Sequence, residues 1–237
     1  MITTKNLTKK YDSLTAVNDL SFEVTQGEIL CLLGANGAGK STTINMLLNF
    51  IEPTSGTAKI NGLNVVENPI RTKQDLTYIP ENLMLYPTLT AIENLDYFTK
   101  LSGKQFSESQ LRTHLSKAGL QEEAHAMFVK KFSKGMRQKI GIALAIAKES
   151  KVLLLDEPTS GLDPKSSNDF MELLTQMKND GVAILMATHD LFRAKEVGTH
   201  IGIMRSGILE NYSATADLSL KQLETIYLDI MNFKNVS

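Results

Sequence analysis

The pattern of apolar and polar positions changes character twice along the chain. Residues 1–7 and 20–24 read as short half-buried strands, with turn signals at Asn18-Asp19 and Gln26-Gly27. Glu28 to Leu33 is then apolar after its first residue, the pattern of a strand buried on both faces. A glycine-rich stretch, Gly34 to Gly39, follows it. Beyond Lys40, apolar residues recur at Ile44, Leu47, Leu48 and Ile51, which predicts a helix from Lys40 to Phe50 stopped by Pro53 and Gly56. Thr57 to Asn61 predicts another strand, turning at Asn61-Gly62.

From about Thr88 to Ser150 strand signals vanish. One amphipathic helix is marked by Ile92, Leu95 and Phe98 to Leu101. A second is marked by Leu111, Leu115 and Leu120, with Gly119 at its end, and a third by Met136, Ile140, Ala143, Leu144 and Ala147. Strands then alternate with helices again. Val152–Leu155, Val182–Ala187 and Ile201–Met204 are predicted strands; Lys165–Asn179 and Leu191–Val197 are predicted helices. Ser206-Gly207 turns the chain into Ile208–Asn211, and Leu218–Met231 reads as a closing helix. The alternation implies an α/β fold with a mostly parallel sheet and right-handed crossovers. An antiparallel β part precedes it, and a helical insertion interrupts it.

The 237 residues, 42% hydrophobic and 22% charged, suffice for one large domain with a substantial core. A net charge of −1 gives no global electrostatic reason to bind nucleic acid. Cys31 is the only cysteine, so no internal disulfide forms, and no Cys/His cluster has zinc spacing. The longest apolar run, Ile140 to Ala147, is far short of the ~20 residues that span a bilayer. No apolar run follows Met1 to Lys5, so no signal peptide is expected.

Candidate chemistry concentrates at two strand ends. Gly34-Ala35-Asn36-Gly37-Ala38-Gly39-Lys40-Ser41 matches G-x-x-x-x-G-K-[ST] between a predicted strand and a predicted helix, the setting that motif needs. The glycines let backbone N–H groups converge, and the helix N-terminus adds its dipole, so a polyphosphate fits there. Lys40 is expected to reach the β/γ-phosphates, Ser41 to ligate Mg²⁺, and Thr42 to serve an α-phosphate oxygen. The second end is Val152 to Glu157, a buried strand running into two carboxylates. Asp156 is the candidate for the metal side and Glu157 the candidate general base.

With these two segments the chain resembles the ATP-binding cassette (ABC) ATPases over nearly its whole length, and so a P-loop NTPase fold. Tyr11 stands where the family has an aromatic that stacks on adenine. Glu81, in Tyr78-Ile79-Pro80-Glu81, stands at the Q-loop. Phe132-Ser133-Lys134-Gly135-Met136 stands at the signature motif, Ser160-Gly161-Leu162-Asp163 at the D-loop, and His189 at the switch histidine. The resemblance implies ATP and Mg²⁺ as cofactors and one domain, with residues 1–87 and 151–237 as nucleotide-binding core and 88–150 as helical subdomain. It implies a head-to-tail dimer, expected to be of identical subunits, with Ser133 and Gly135 on the partner's γ-phosphate. Asp163 would couple the two sites, and His189 would contact the γ-phosphate or attacking water. Glu81 would be a third metal ligand beside Ser41 and Asp156.

Two departures stand out. Glu81 replaces a glutamine, and Lys134 and Met136 replace a glycine and a glutamine of the signature. Both resemble the branch whose ATPase subunits drive separate multi-span permeases that export drugs, polysaccharides, peptides or ions. That places the chain at the cytoplasmic face of the cell membrane, peripherally bound. The alternatives are a soluble mechanical ATPase acting on ribosomes or DNA, and a nucleotide-dependent binding module. The first usually carries tandem cassettes or long heptad insertions, and this chain has neither. Lys130, Lys131, Lys134, Arg137 and Lys139 read as a solvated helix start rather than a nucleic-acid patch.

Overall fold

Strands β1 (Ile2–Tyr11) and β2 (Leu14–Val24) form an antiparallel hairpin. On its other edge β1 pairs with β4 (Ser55–Ile60), which turns at Asn61-Gly62 into β5 (Leu63–Asn64), giving the sheet order β2-β1-β4-β5. The computed structural model describes residues 1–232. In it the expected turn at Asn18-Asp19 lies inside β2. Asn6 and Asp19 both take positive φ, 48° and 53°, and the Asn6 amide donates to the Asp19 carboxylate at 2.6 Å. Register shifts on both sides of Leu7, so these residues mark an irregularity of the bulge kind in one long hairpin. The hairpin's own turn is Asp12-Ser13.

The second sheet has six strands: β10 (Ile208–Ala214), β9 (His200–Arg205), β3 (Ile29–Leu33), β8 (Ala183–Thr188), β7 (Val152–Asp156) and β6 (Leu76–Ile79), in that order. All neighbours pair parallel except β10 with β9. The fold is therefore the α/β, mostly parallel arrangement expected, with an antiparallel sheet beside it. Strand β6 and the short helix before it, α2 (Pro69–Gln74), were not among the predicted elements.

Every residue of β3 is buried, and its alternation sorts the two faces of the sheet. Leu30 and Leu32 enter a cluster with Ile2, Leu20 and Ile60 of the antiparallel sheet and Ile44 and Leu47 of α1 (Lys40–Leu47). Ile29, Cys31 and Leu33 enter a second cluster with Phe170 and Leu174 of α7 (Pro164–Asn179) and Ile140 and Ala143 of α6 (Lys134–Lys148). Each such large side chain, fully buried, contributes about 1.5–3 kcal/mol. Helix α1 ends earlier than its apolar spacing suggests, because Asn49 takes φ 50°.

Between β6 and β7 the chain is helical. Helices α3 (Ala91–Leu101) and α4 (Glu108–Lys117) both start in capping boxes, Thr90 with Glu93 and Ser107 with Gln110. Gly119 at φ 73° ends the second, so Leu120 packs into the core from beyond the helix. A single turn, α5 (Glu122–His125), leads toward α6. Helices α8 (Leu191–Val197) and α9 (Leu220–Asn232) complete the described chain. Among the described residues no helix is long and apolar enough to cross a membrane.

Candidate functional site

Four adjacent parallel strands, β3, β8, β7 and β6, end at one edge of the sheet, where ligands of open α/β sheets bind. The loop after β3 runs into α1, β8 delivers His189, β7 delivers Asp156 and Glu157, and β6 leads through Pro80 to Glu81. A cavity of about 620 Å³ opens there, bordered by Tyr11, Ala35 to Thr42, Glu81, Asp156 and Glu157.

The glycine loop has little freedom. Gly39 caps α1 at φ 103°, and a Cβ there would lie 2.6 Å from the Ala16 carbonyl oxygen. Gly207 N–H donates to Ala38 O at 3.0 Å and Asn18 N–H to Gly207 O at 2.8 Å, tying the loop to the β9–β10 turn and to β2. The buried Lys40 side chain donates to Gly34 O at 2.5 Å and Ala35 O at 3.3 Å, and its Nζ lies 3.5 Å from Glu157 Oε1. Lys40 thus crosses the loop and points its charge at the carboxylate.

Glu157 sits in the left-handed region at φ 45°, with its N–H donating to Ala187 O at 2.9 Å. An L-residue held there costs roughly 1–2 kcal/mol, a cost typical of functional turns. His189 Nδ1 is 2.8 Å from Glu157 Oε2. A carboxylate only accepts, so Nδ1 carries the hydrogen of this bond. Burial raises the Asp156 carboxyl above its ordinary value, and the negative charges of Glu157 and Glu81 raise it further against the Ser41 hydroxyl and Lys40.

Asp156 Oδ1 and Glu157 Oε1 are buried oxygens without a hydrogen-bond donor. They lie where Ser41 and Glu81 also border the cavity. An all-oxygen set of hydroxyl and carboxylates fits Mg²⁺. Among the described residues no three His, Cys, Asp or Glu side chains are grouped to hold a metal alone.

The remaining predicted residues stand apart from this cavity. Gly34 is buried beneath it, where a Cβ would lie 2.5 Å from Met204 O. Ser133 caps α6, accepting from Met136 N–H at 3.3 Å. Gly135 packs on Ser166, with room for a Cβ only at 3.2 Å. Asp163 caps α7, accepting from Ser166 N–H at 3.0 Å and Ser166 Oγ at 2.6 Å, and these bonds hold its carboxyl below the usual value. Leu14, Thr15, Ala16 and Ser206 also border the cavity, and no motif marks them. Of the basic run, Lys139 donates to Gly119 O at 3.1 Å and Lys134 faces Glu81, while Lys130 and Lys131 are exposed.

A parallel sheet with a glycine loop wrapped ahead of a helix, and carboxylates at the neighbouring strand end, defines a P-loop nucleotide-binding ATPase. Residues 17–160 match the family model described as ABC transporter. The chain is 34% identical over 220 residues to the linearmycin resistance ATP-binding protein LnrL of Bacillus subtilis, covering 92% of this chain and 70% of that one. It is 35% identical over 235 residues to the bacitracin transport ATP-binding protein BcrA of Enterococcus faecalis, covering 99% and 76%. A dimeric ATP-binding cassette in a post-hydrolysis state with ADP and Pi superposes with a TM-score of 0.81 at 26% identity, over 91% of this chain and 99% of that one. The chain belongs to the ABC transporter family, as an ATP-binding and ATP-hydrolysing subunit.

Proposed function

We propose that two copies of this chain close head to tail on two ATP molecules and drive a separate multi-span membrane subunit, in export, from the cytoplasmic face. The contact of Glu157 with both Lys40 and His189 carries the hydrolytic step of this reading, because it sets a candidate general base against the lysine of the glycine loop.

Gly34 to Thr42 cradle the phosphates and Tyr11 stacks on the adenine. Ser41, Asp156 and Glu81 would hold Mg²⁺, which would neutralise phosphate charge there. Glu157 takes the proton of the attacking water, and His189, oriented through Nδ1, contacts the γ-phosphate or that water. Ser133, Gly135 and Asp163 serve the partner copy's nucleotide. Their positions outside the cavity of their own subunit support that assignment. Residues 1–87 and 151–237 act as the nucleotide core. Residues 88–150 act as the helical part and, with the stretch from Glu81 to Asn94, dock the membrane subunit. Exposed Met84, Tyr86 and Phe128 support a docking face there. The relatives named for bacitracin transport and linearmycin resistance support export.

The test is Glu157→Gln. It is expected to bind ATP like the parent, to lose turnover by about 10²–10⁴-fold, and to run as a dimer in ATP by size exclusion. Parental turnover would remove Glu157 as the base, and a monomer in saturating ATP would overturn the head-to-tail assembly.

A further inference from the structure

Glu81 faces two ways. On one side it borders the nucleotide cavity with Asp156, Glu157 and Ser41. On the other, its Oε1 accepts from Ser160 Oγ at 3.0 Å and lies 3.8 Å from Lys134 Nζ. Neither Ser160 nor Lys134 borders the cavity. The backbone of Glu81 is held from the same helix as Lys134: the Nε2 of fully buried Gln138 donates to Pro80 O and Glu81 O at 3.4 Å each.

Lys134 is an unfavourable choice at its own position. It is the first residue of α6, whose first turn carries no acidic side chain. A cation there opposes the positive end of the helix dipole. Its neighbour across space explains it. Glu81 adds a negative charge to a rim that already holds Asp156 and Glu157, and that must accept a polyanion. Lys134 sits behind that charge. The two departures from the family pattern therefore meet as one ion pair, 53 positions apart in sequence.

We infer that Lys134 is a positioning residue for the nucleotide site of its own subunit: it offsets the charge of Glu81 and, with Ser160, anchors one oxygen of that carboxylate at the cavity rim. This gives the signature turn an electrostatic contact with its own cavity, separate from any role toward a partner's nucleotide. The inference rests on the reading that this cavity binds ATP.

The test is a double-mutant cycle on the full chain, read by the affinity for a fluorescent ATP analogue with EDTA present and protein below the dimerising concentration. Lys134→Ala is expected to weaken binding about 1.4- to five-fold, the range for a partly exposed pair. In the Glu81→Gln background the same substitution is expected to change binding negligibly. Raising the salt from about 0.05 M to about 0.5 M is expected to shrink the first effect, since the pair is partly exposed. An equal effect of Lys134→Ala in both backgrounds, or none in either, overturns the inference. Lys40→Ala in the same assay keeps the two readings apart. If it binds like the parent, the cavity assignment fails. If it loses binding while the cycle is additive, only the pairing of Glu81 with Lys134 fails.

Discussion

Gly37 and Gly39 stand two residues apart in the phosphate loop, and alanine is expected to cost very different amounts at each. Both take positive φ, 83° and 103°. A Cβ at Gly37 meets nothing within 4 Å, so Gly37→Ala bears only the conformational penalty, roughly 1–2 kcal/mol. A Cβ at Gly39 would lie 2.6 Å from Ala16 O, 3.3 Å from Gly207 Cα and 3.3 Å from Met204 Cε. Two of these three are backbone atoms, and Gly207 is itself hydrogen-bonded to Ala38 and Asn18. They cannot yield by a rotamer change, so an overpacking cost of about 1–3 kcal/mol adds to the conformational one. Gly39→Ala should therefore lose about 2–5 kcal/mol in all. The gap between the variants converts to about 2–12 °C in melting temperature for a chain of this size. Urea unfolding of the nucleotide-free protein measures it directly, with slopes unchanged if both variants unfold as the parent does. Equal midpoints for the two variants would refute the steric argument.

Burial raises the Asp156 carboxyl, so the folded protein binds that proton more readily than the unfolded chain. The ionised group costs stability once pH rises past the unfolded value, in full above the folded one. Asp156→Asn is expected to raise the melting temperature of nucleotide-free protein at pH 7, with the gain fading toward about pH 4, while Mg²⁺-dependent turnover falls. A gain that is the same at both pH values would count against the electrostatic origin. Fully buried Asn94 bonds Tyr86 N–H and the carbonyls of Tyr86 and Leu89, fixing the stretch that leads into α3. Asn94→Ala should cost about 1–3 kcal/mol in urea unfolding, and parental stability would mean that water replaces these bonds.

The parts of the fold that read well from sequence were those whose cause is local. Strands β3, β7 and β8 are buried on both faces, so their apolar runs are nearly unbroken. The glycine loop reads well because its turn and the start of α1 fall within eight residues. Strand β6 did not, because Leu76-Thr77-Tyr78-Ile79 is four residues long and half polar. It is a strand by virtue of pairing with β7 at the sheet edge. Asn18-Asp19 carries real turn chemistry, yet long-range pairing with β1 absorbs it as an irregularity within β2. In the site, Leu14 to Ala16 and Ser206 reach the cavity only through tertiary packing. The contact of Glu81 with Lys134 and Ser160 joins three separate segments, and nothing local in the sequence announces it.

The helical stretch leaves the sheet after Ile79, and the chain re-enters it at Val152, on the neighbouring strand. Leu76 pairs with Val152 and Ile79 with Leu155. The sheet itself thus fixes both ends of the excursion on neighbouring parallel strands, Ile79 at the edge that carries the site and Val152 at the opposite edge. An excursion whose ends are already joined adds little closure entropy as it lengthens. The solvent-facing positions of residues 80–151 can therefore be rewritten or extended while strand register, glycine loop, Asp156 and Glu157 stay as they are, whereas Glu81 and the core-facing Ile140 and Ala143 are fixed. The fold separates an interchangeable surface from a fixed engine, and Glu81, two residues past the first junction, with Lys134 beside it in space, is where that exchange is least free.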